Sequence, residues 1–149
     1  MRAVVQRVTQ ASVEVEGKVV GAIEQGLLVL VGIKAEDTLK DMEYIINKIS
    51  GLRIFEDEMG KMNLSVADVE GKLLIVPNFT LYGNATKGMR PSFVASGNVE
   101  EARGKFEIFM EKLRQGSIPV EAGVFQGDMK VSLVNDGPVT ILLESDKSF

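Results

Sequence analysis

The sequence contains no cysteine and no histidine. Without cysteine the chain has no disulfide, no thiolate nucleophile and no thiolate metal ligand. Without histidine it has no Ser-His-Asp triad, no Cys-His pair and no histidine-ligated zinc. Any catalysis must therefore use carboxylates, amides, hydroxyls, cations, backbone dipoles or groups that a substrate brings.

Long apolar runs and basic runs are also missing. The longest apolar stretch, residues 26–33, is far shorter than the roughly 18 residues that span a bilayer. Gln6 and Arg7 interrupt the first apolar residues, so we expect no signal peptide and a cytoplasmic protein without a membrane partner. The net charge of −4 argues against an extended nucleic-acid footprint but leaves room for a small one.

The composition is that of an ordinary globular protein. With 149 residues, 45% hydrophobic and 26% charged, the chain fits a single domain over residues 1–149. The acidic segment Glu56-Asp57-Glu58 lacks the alternating oxygen ligands of a calcium loop and is typical of a solvent-facing turn. We predict neither a metal site nor a cofactor.

Residue periodicity predicts a mostly β protein with two helices. Residues 2–16 alternate as a half-buried strand and turn at Gly17 into a hairpin. Apolar residues at helical spacing predict helices over residues 37–50 and 98–115, with Asp37 or Thr38 capping the first and Asn98 the second. Further strands are predicted at residues 27–33, 52–55, 73–76, 120–124, 129–134 and 139–144.

Two breaks in these strands are candidate site elements. The apolar strand 73–76 suits burial on both faces, and Pro77, which has no N–H, should end its pairing. A glycine-rich irregular loop over residues 83–97 follows, of a kind that is more often functional than accidental. The second break, Asn135-Asp136-Gly137-Pro138, has the composition of a turn. Only about 5–6% of such X-Pro bonds are cis, so composition alone predicts an ordinary trans proline.

Five sequence blocks are distinctive in combination. They are Met1-Arg2-Ala3-Val4-Val5-Gln6-Arg7-Val8, Gly60-Lys61-Met62-Asn63, Phe79-Thr80-Leu81, Lys87-Gly88-Met89-Arg90-Pro91-Ser92-Phe93 and Val131-Ser132-Leu133-Val134-Asn135-Asp136-Gly137-Pro138-Val139-Thr140. In this order they resemble the motifs of the D-aminoacyl-tRNA deacylase (D-tyrosyl-tRNA(Tyr) deacylase) family, and they extend over nearly the whole chain.

The resemblance implies an α+β fold, mostly β, with a curved antiparallel-rich sheet or incomplete barrel and two covering helices. It implies a cofactor-free homodimer that hydrolyses the ester between a D-amino acid, or glycine, and the terminal adenosine of tRNA, and so proofreads mischarged tRNA. It also implies that the Gly137-Pro138 bond is cis and reaches into the active site of the other subunit.

One family motif departs from its usual form. Where the family usually has Ser-Gln-Phe-Thr-Leu, this chain has Pro77-Asn78-Phe79-Thr80-Leu81. Proline removes a backbone donor and a hydroxyl, and asparagine keeps the amide with a shorter reach. Two alternatives therefore stay open: a non-catalytic module that binds RNA ends or proteins, and a deacylase shifted to glycyl or small L-aminoacyl esters.

The residue roles follow from the resemblance and from chemistry without histidine. We expect backbone amides near Phe79 and Thr80, next to Asn78, to stabilise the oxyanion, while the vicinal ribose hydroxyl positions or deprotonates water. Rigid carbonyl groups of Gly137 and Pro138 would exclude an L side chain by clash. Thr80 is either a nucleophile without a visible base or a residue that orients substrate or packs.

Four further residues are candidates for substrate and tRNA binding. Arg7, Lys87 and Arg90 would contact phosphates, or would simply be solvated. Met89 would line the adenine pocket together with Phe79, or would pack.

Overall fold

The computed structural model describes all residues from Met1 to Phe149. The strands are β1 (Arg2–Val15), β2 (Lys18–Ile23), β3 (Gly26–Gly32), β4 (Phe55–Glu56), β5 (Met62–Leu64), β6 (Lys72–Pro77), β7 (Val120–Ala122) and β8 (Met129–Glu144). The helices are α1 (Leu39–Gly51) and α2 (Val99–Arg114), and two 3₁₀ segments span Phe79–Tyr82 and Val94–Ser96. None of the helices is long and apolar enough to cross a membrane.

A six-stranded mixed sheet runs in the order β2-β1-β3-β6-β7, and β8 pairs with the opposite side of β1. β2 and β3 are both antiparallel to β1, whereas β3, β6 and β7 are parallel to one another. β2 also lies close to β7: a Cβ added at Gly21 of β2 would be only 2.9 Å from the carbonyl oxygen of Ala122 in β7. The sheet is thus a nearly closed barrel, and the predicted mostly-β fold with two helices is confirmed.

Strand side chains alternate between two cores. Leu27, Val29 and Val31 of β3 belong to the larger cluster, which packs the sheet against both helices. Leu28 belongs to a smaller cluster on the other face, against which Leu30 packs. β6 contributes to both clusters in the same way, so its predicted burial on two faces is confirmed.

The two α-helices begin at predicted caps. The Asp41 side chain accepts a hydrogen bond from the Thr38 N–H at 2.7 Å, and the Thr38 side chain accepts one from the Asp41 N–H. At the start of α2, Asn98 Oδ1 accepts from the Glu101 N–H at 3.1 Å. Gly51, expected just beyond α1, is instead its last residue.

The prediction of a turn at residues 135–138 between two strands is wrong. β8 is one continuous strand that pairs with β1 on both sides of this segment, with Asn135 opposite Val8 and Thr140 opposite Gln6. Residues 136–139 therefore lie opposite the single residue Arg7, which makes the segment a large, special β-bulge. Asn135 Nδ2 donates to Thr140 Oγ1 at 3.1 Å and closes the base of the bulge. Asn-Asp-Gly-Pro composition fits a bulge as well as a chain reversal.

Candidate active site

The end of β6 opens directly onto a cavity. Pro77 is the last residue of β6, and the Asn78 N–H donates to the Val31 carbonyl at 2.8 Å, which holds the exit of the strand against β3. Pro77, Asn78 and Phe79 all line a cavity of about 710 Å³. The predicted break in pairing thus coincides with a concave surface.

The cavity is mostly apolar and is built from several elements. Leu28 and Leu30 line it from β3, and Phe106 lines it from α2. Phe125 lines it from the segment before β8, and Met129 lines it from the first position of β8. Apolar cavities with a few converging polar groups are the usual sites for small-molecule chemistry.

The Asn78 side chain organises the first turn of the 3₁₀ segment. Its Oδ1 accepts hydrogen bonds from the Thr80 N–H at 3.2 Å and from the Thr80 hydroxyl. Because both Thr80 groups are donors, the Asn78 side chain must turn its oxygen towards them, and its Nδ2 group is free to donate elsewhere. A short asparagine therefore caps this segment.

One backbone donor remains available at the cavity. The Phe79 N–H opens the 3₁₀ segment, so it has no carbonyl partner within that segment, and no side chain accepts from it. Of the two amides predicted to face substrate, the Thr80 N–H is already bonded to Asn78, whereas the Phe79 N–H is not.

The surroundings of Thr80 bear on its two possible roles. Its exposed hydroxyl donates to a carboxamide oxygen, and no carboxylate or amine contacts it. A carboxamide is not a base, so nothing in contact with Thr80 would activate it as a nucleophile. The geometry favours the orienting role.

The loop after the 3₁₀ segment is attached to the site through an aromatic contact. The rings of Phe79 and Phe93 meet edge to face, with centroids 5.4 Å apart and an interplanar angle of 69°. Between them, Asn84 and Ser92 form an isolated antiparallel bridge that closes the neck of the loop.

The tip of this loop stands in solvent. Lys87 and Arg90 are exposed, which suits phosphate contacts and solvated cations equally, so their role stays a prediction. Met89 is 100% exposed and does not line the cavity. Phe79 lies at the foot of the loop and Met89 at its tip, so an adenine pocket lined by both residues stays a prediction.

The structure contradicts the placement of Arg7 among the RNA contacts. Arg7 is only 5% exposed and lies beneath the bulge. Its Nε donates to the Asp136 carbonyl at 3.0 Å, and its Nη1 donates to the Ile54 carbonyl at 2.8 Å. The Asp136 carboxylate lies 3.6 Å from the same Nε. Arg7 thus supports backbone instead of presenting a charge to solvent.

Gly137 and Pro138 lie at the top of the bulge and are exposed. The peptide bond between them is cis, and Gly137 has a φ of 128°, a value open to glycine alone. Neither residue lines the cavity. One chain therefore does not bring the bulge and the Phe79 segment into a common pocket.

Sequence reasoning missed several residues that line the cavity, among them Gln6, Phe125 and Met129. Gln6 carried a usable signal, since it is a polar residue inside an apolar strand and its side chain alternates with that of Arg7. Phe125 carried none, because its position depends on how the loop before β8 folds back. No group of three or more acidic side chains is placed to hold a metal ion.

The D-Tyr-tRNA(Tyr) deacylase family model matches residues 4–144 of the chain. The chain belongs to this family. It is 54% identical over 149 residues to the D-aminoacyl-tRNA deacylase of Clostridium botulinum (strain Eklund 17B / Type B), with 100% of both chains covered. It is 57% identical over the same length, again with 100% of both chains covered, to the D-aminoacyl-tRNA deacylase of Koribacter versatilis (strain Ellin345).

Two solved structures share the fold of this chain. A structure described as the c-Myc DNA Unwinding Element Binding Protein matches with a TM-score of 0.91 and 46% identity, over 97% of this chain and 98% of that one. A probable eukaryotic D-amino acid tRNA deacylase shares the fold, with a TM-score of 0.80 and 18% identity over 96% of this chain and 98% of that one. The predicted family, and with it the prediction of a hydrolase, is confirmed.

Proposed function

We propose that this chain acts as a homodimer that hydrolyses the ester joining a D-amino acid, or glycine, to the terminal adenosine of tRNA, and thereby proofreads mischarged tRNA in the cytoplasm. Relatives matching its full length are named D-aminoacyl-tRNA deacylases. The structural observation that carries the proposal is the Phe79 N–H, left without a partner where Phe79 lines an apolar cavity.

Catalysis would use this amide as an oxyanion donor. Water adds to the ester carbonyl carbon, and the carbonyl oxygen takes up negative charge that the Phe79 N–H stabilises. One such donor is worth about 10²–10³ in rate. The free Nδ2 group of Asn78 is the second donor on hand, since asparagine side chains can serve the same purpose.

The proton transfers would fall to the substrate, because no carboxylate or amine contacts Thr80, and Asp128, the one carboxylate that lines the cavity, is exposed and paired with Lys130. The vicinal ribose hydroxyl positions the attacking water. When the bond from the carbonyl carbon to the ribose oxygen breaks, that oxygen takes the proton which the water gives up. Thr80 would orient these groups through its hydroxyl.

Chirality would be read by exclusion. Gly137 and Pro138 of a second copy would enter the cavity and leave space for a hydrogen, but not for a side chain, at the L position of the amino acid. A clash of this kind discriminates without needing contacts to the side chain. Glycine, which has no side chain, would pass. In support, both residues are exposed on a bulge that Arg7 holds from below.

A second copy has a surface to occupy. β8 is 16 residues long and pairs only with β1, so its other edge is open. Leu133, Val134 and Leu142 on this strand are 36%, 48% and 55% exposed. Long open edges with apolar side chains are normally covered, and a copy bound here would lie next to the bulge.

RNA binding would be local. Lys87 and Arg90 lie on an exposed loop that contacts Phe79 through Phe93. This arrangement suits the phosphates next to the terminal adenosine. The net charge of −4 limits attraction for the rest of the tRNA.

The decisive experiment is an assay of amino-acid release from D-tyrosyl-, glycyl- and L-alanyl-tRNA, with the molar mass of the protein measured by sedimentation at assay concentration. We expect a dimer that hydrolyses the first two esters and spares the third. Absence of turnover would favour the RNA-end or protein-binding module. Turnover of glycyl and L-alanyl esters alone would favour a specificity shifted by Pro77 and Asn78.

A further inference from the structure

Arg2 lies outside the cavity and contacts the 3₁₀ segment to which the Phe79 amide belongs. Its Nη1 donates to the Leu81 carbonyl at 3.0 Å. Its guanidinium carbon lies 4.7 Å from the centroid of the Tyr82 ring. None of Arg2, Leu81 and Tyr82 lines the cavity, so these contacts support the segment from behind.

The same side of the segment is closely packed. A Cβ added at Gly32 would lie 3.2 Å from both the Leu81 Cβ and the Tyr82 ring, and Gly32 is the β3 partner of Arg2. The Tyr82 hydroxyl is buried without a hydrogen-bond partner, and burial raises the pKa of this phenol above its ordinary value. Tyr82 therefore acts through its neutral ring, which fills the space between Gly32 and Arg2.

Arg2 is itself fixed by the end of β8. Its Nε donates to Glu144 Oε1 at 2.5 Å, and Glu144 is 5% exposed. One guanidinium group thus joins the last residue of β8 to the segment that begins at Phe79. Because planar guanidinium groups hold two partners in a set geometry, this link restrains direction as well as distance.

We propose that Arg2 is a positioning residue for ester hydrolysis, which sets the direction of the Phe79 N–H through the Leu81 carbonyl and the Tyr82 ring. The segment is four residues long, and so short a 3₁₀ turn has poor internal hydrogen bonds and depends on outside contacts. The inference rests on the proposed function, since the direction of this N–H matters only when it meets an oxyanion.

The test compares Arg2→Met with the matched control Lys34→Met. Lys34 Nζ lies 5.3 Å from the centroid of the same Tyr82 ring but donates no hydrogen bond to the segment. With enzyme in excess over D-tyrosyl-tRNA, we expect Arg2→Met to hydrolyse the ester about tenfold more slowly, because a misplacement of about 1 Å can cost about 10²-fold and the loss of one supporting contact should shift the segment by less. Its affinity for the tRNA should stay at the wild-type value, and Lys34→Met should match wild type in both respects.

A second readout does not depend on activity. Amide hydrogen exchange over residues 79–82 should be faster in Arg2→Met than in wild type and Lys34→Met, while exchange in the core of β3 should not change. Arg2→Lys keeps the charge for Glu144 but lacks the two-pronged geometry, so it should also hydrolyse more slowly, and it replaces Arg2→Met if that variant does not fold.

The outcomes separate the two ideas. Wild-type protein that releases no amino acid refutes the proposed function, whatever the exchange shows. Active wild type with an equally fast Arg2→Met, or with an Arg2→Lys that matches it where Arg2→Met does not fold, overturns the role of Arg2. An equal loss in Lys34→Met also overturns it, because cation contact with the ring would then be the cause.

Discussion

Replacing Arg7 by methionine tests how the bulge at Gly137 and Pro138 is held. Methionine has a similar length but no donors, so the change removes the hydrogen bonds to the Ile54 and Asp136 carbonyls, at 2.8 and 3.0 Å, without opening a large cavity. The Ile54 bond is buried, whereas the Asp136 bond is partly exposed. Removing the hydrogen bond therefore costs more free energy at the Ile54 carbonyl than at the Asp136 carbonyl.

The magnitude follows from that difference. Leaving a buried acceptor without a donor lowers the free energy of unfolding by about 1–3 kcal/mol. Leaving a partly exposed acceptor without its donor, where water can replace it, lowers it by about 0.5–1.5 kcal/mol. The free energy of unfolding should fall by about 2–4 kcal/mol. For a chain of this length each kcal/mol is worth about 2–4 °C, so the melting temperature should drop by roughly 5–15 °C. Arg7→Lys, which offers one donor group to two carbonyls, should lose about half as much.

The assay combines thermal unfolding with the ratio of D-tyrosyl- to L-tyrosyl-tRNA hydrolysis. The matched control is Arg53→Met, because Arg53 also donates to a backbone carbonyl, that of Asn63 at 3.0 Å, but is exposed. The control should change the free energy of unfolding by less than about 0.5 kcal/mol. Equal melting shifts in the two variants would refute the reasoning about burial. A destabilised Arg7→Met with undiminished preference for the D ester would show that chiral selection does not depend on the hold of Arg7 on the bulge.

Four other variants test separate contacts. Thr80→Ala should keep measurable deacylation, because the hydroxyl contacts only a carboxamide oxygen; complete loss in a folded protein would give Thr80 a chemical role. Lys87→Gln and Arg90→Gln should each lower the slope of log binding constant against log salt by about 0.7 if each contacts one phosphate of a single strand; an unchanged slope would remove the loop from the RNA interface. Burial opposes ionisation of Asp41, but hydrogen bonds from Thr38 lower its pKa to about 2. The unfolded value is about 3.9, so this stabilisation is present above pH 4 and is lost as the pH falls towards 2. Urea unfolding should show Asp41→Asn to be less stable than wild type by about 1–2 kcal/mol at pH 5, with a gap that closes near pH 2; a gap independent of pH would contradict this.

Local signals predicted much of the fold correctly. The caps at Thr38 and Asn98 could be predicted because capping depends on about four consecutive residues of sequence. β6 was readable because a continuous apolar run that stops at a proline fits few structures other than a buried strand. The resemblance added the family and pointed to Gly137 and Pro138.

The features that the sequence did not predict depend on pairing between residues far apart in the chain. Whether residues 135–138 form a turn or a bulge depends on whether the chain beyond them rejoins the strand it paired with before, and that strand is β1, more than 120 residues away. The burial of Arg7 depends on carbonyls 47 and 129 residues distant in sequence. A count of cations cannot distinguish such a residue from an exposed one such as Lys87.

Two arginines of β1, Arg2 and Arg7, explain how a site without histidine can be held in place. A group that selects by exclusion must not move, because a shift of about 1 Å is enough to change a reacting geometry. Arg7 fixes the bulge by binding its backbone, and Arg2 fixes the Phe79 segment by binding the Leu81 carbonyl. β1 pairs with β2, β3 and β8, so both arginines project from the most extensively paired strand of the sheet. In the proposed mechanism neither arginine has to touch substrate, because catalysis and selection through backbone groups depend on side chains that keep the backbone still.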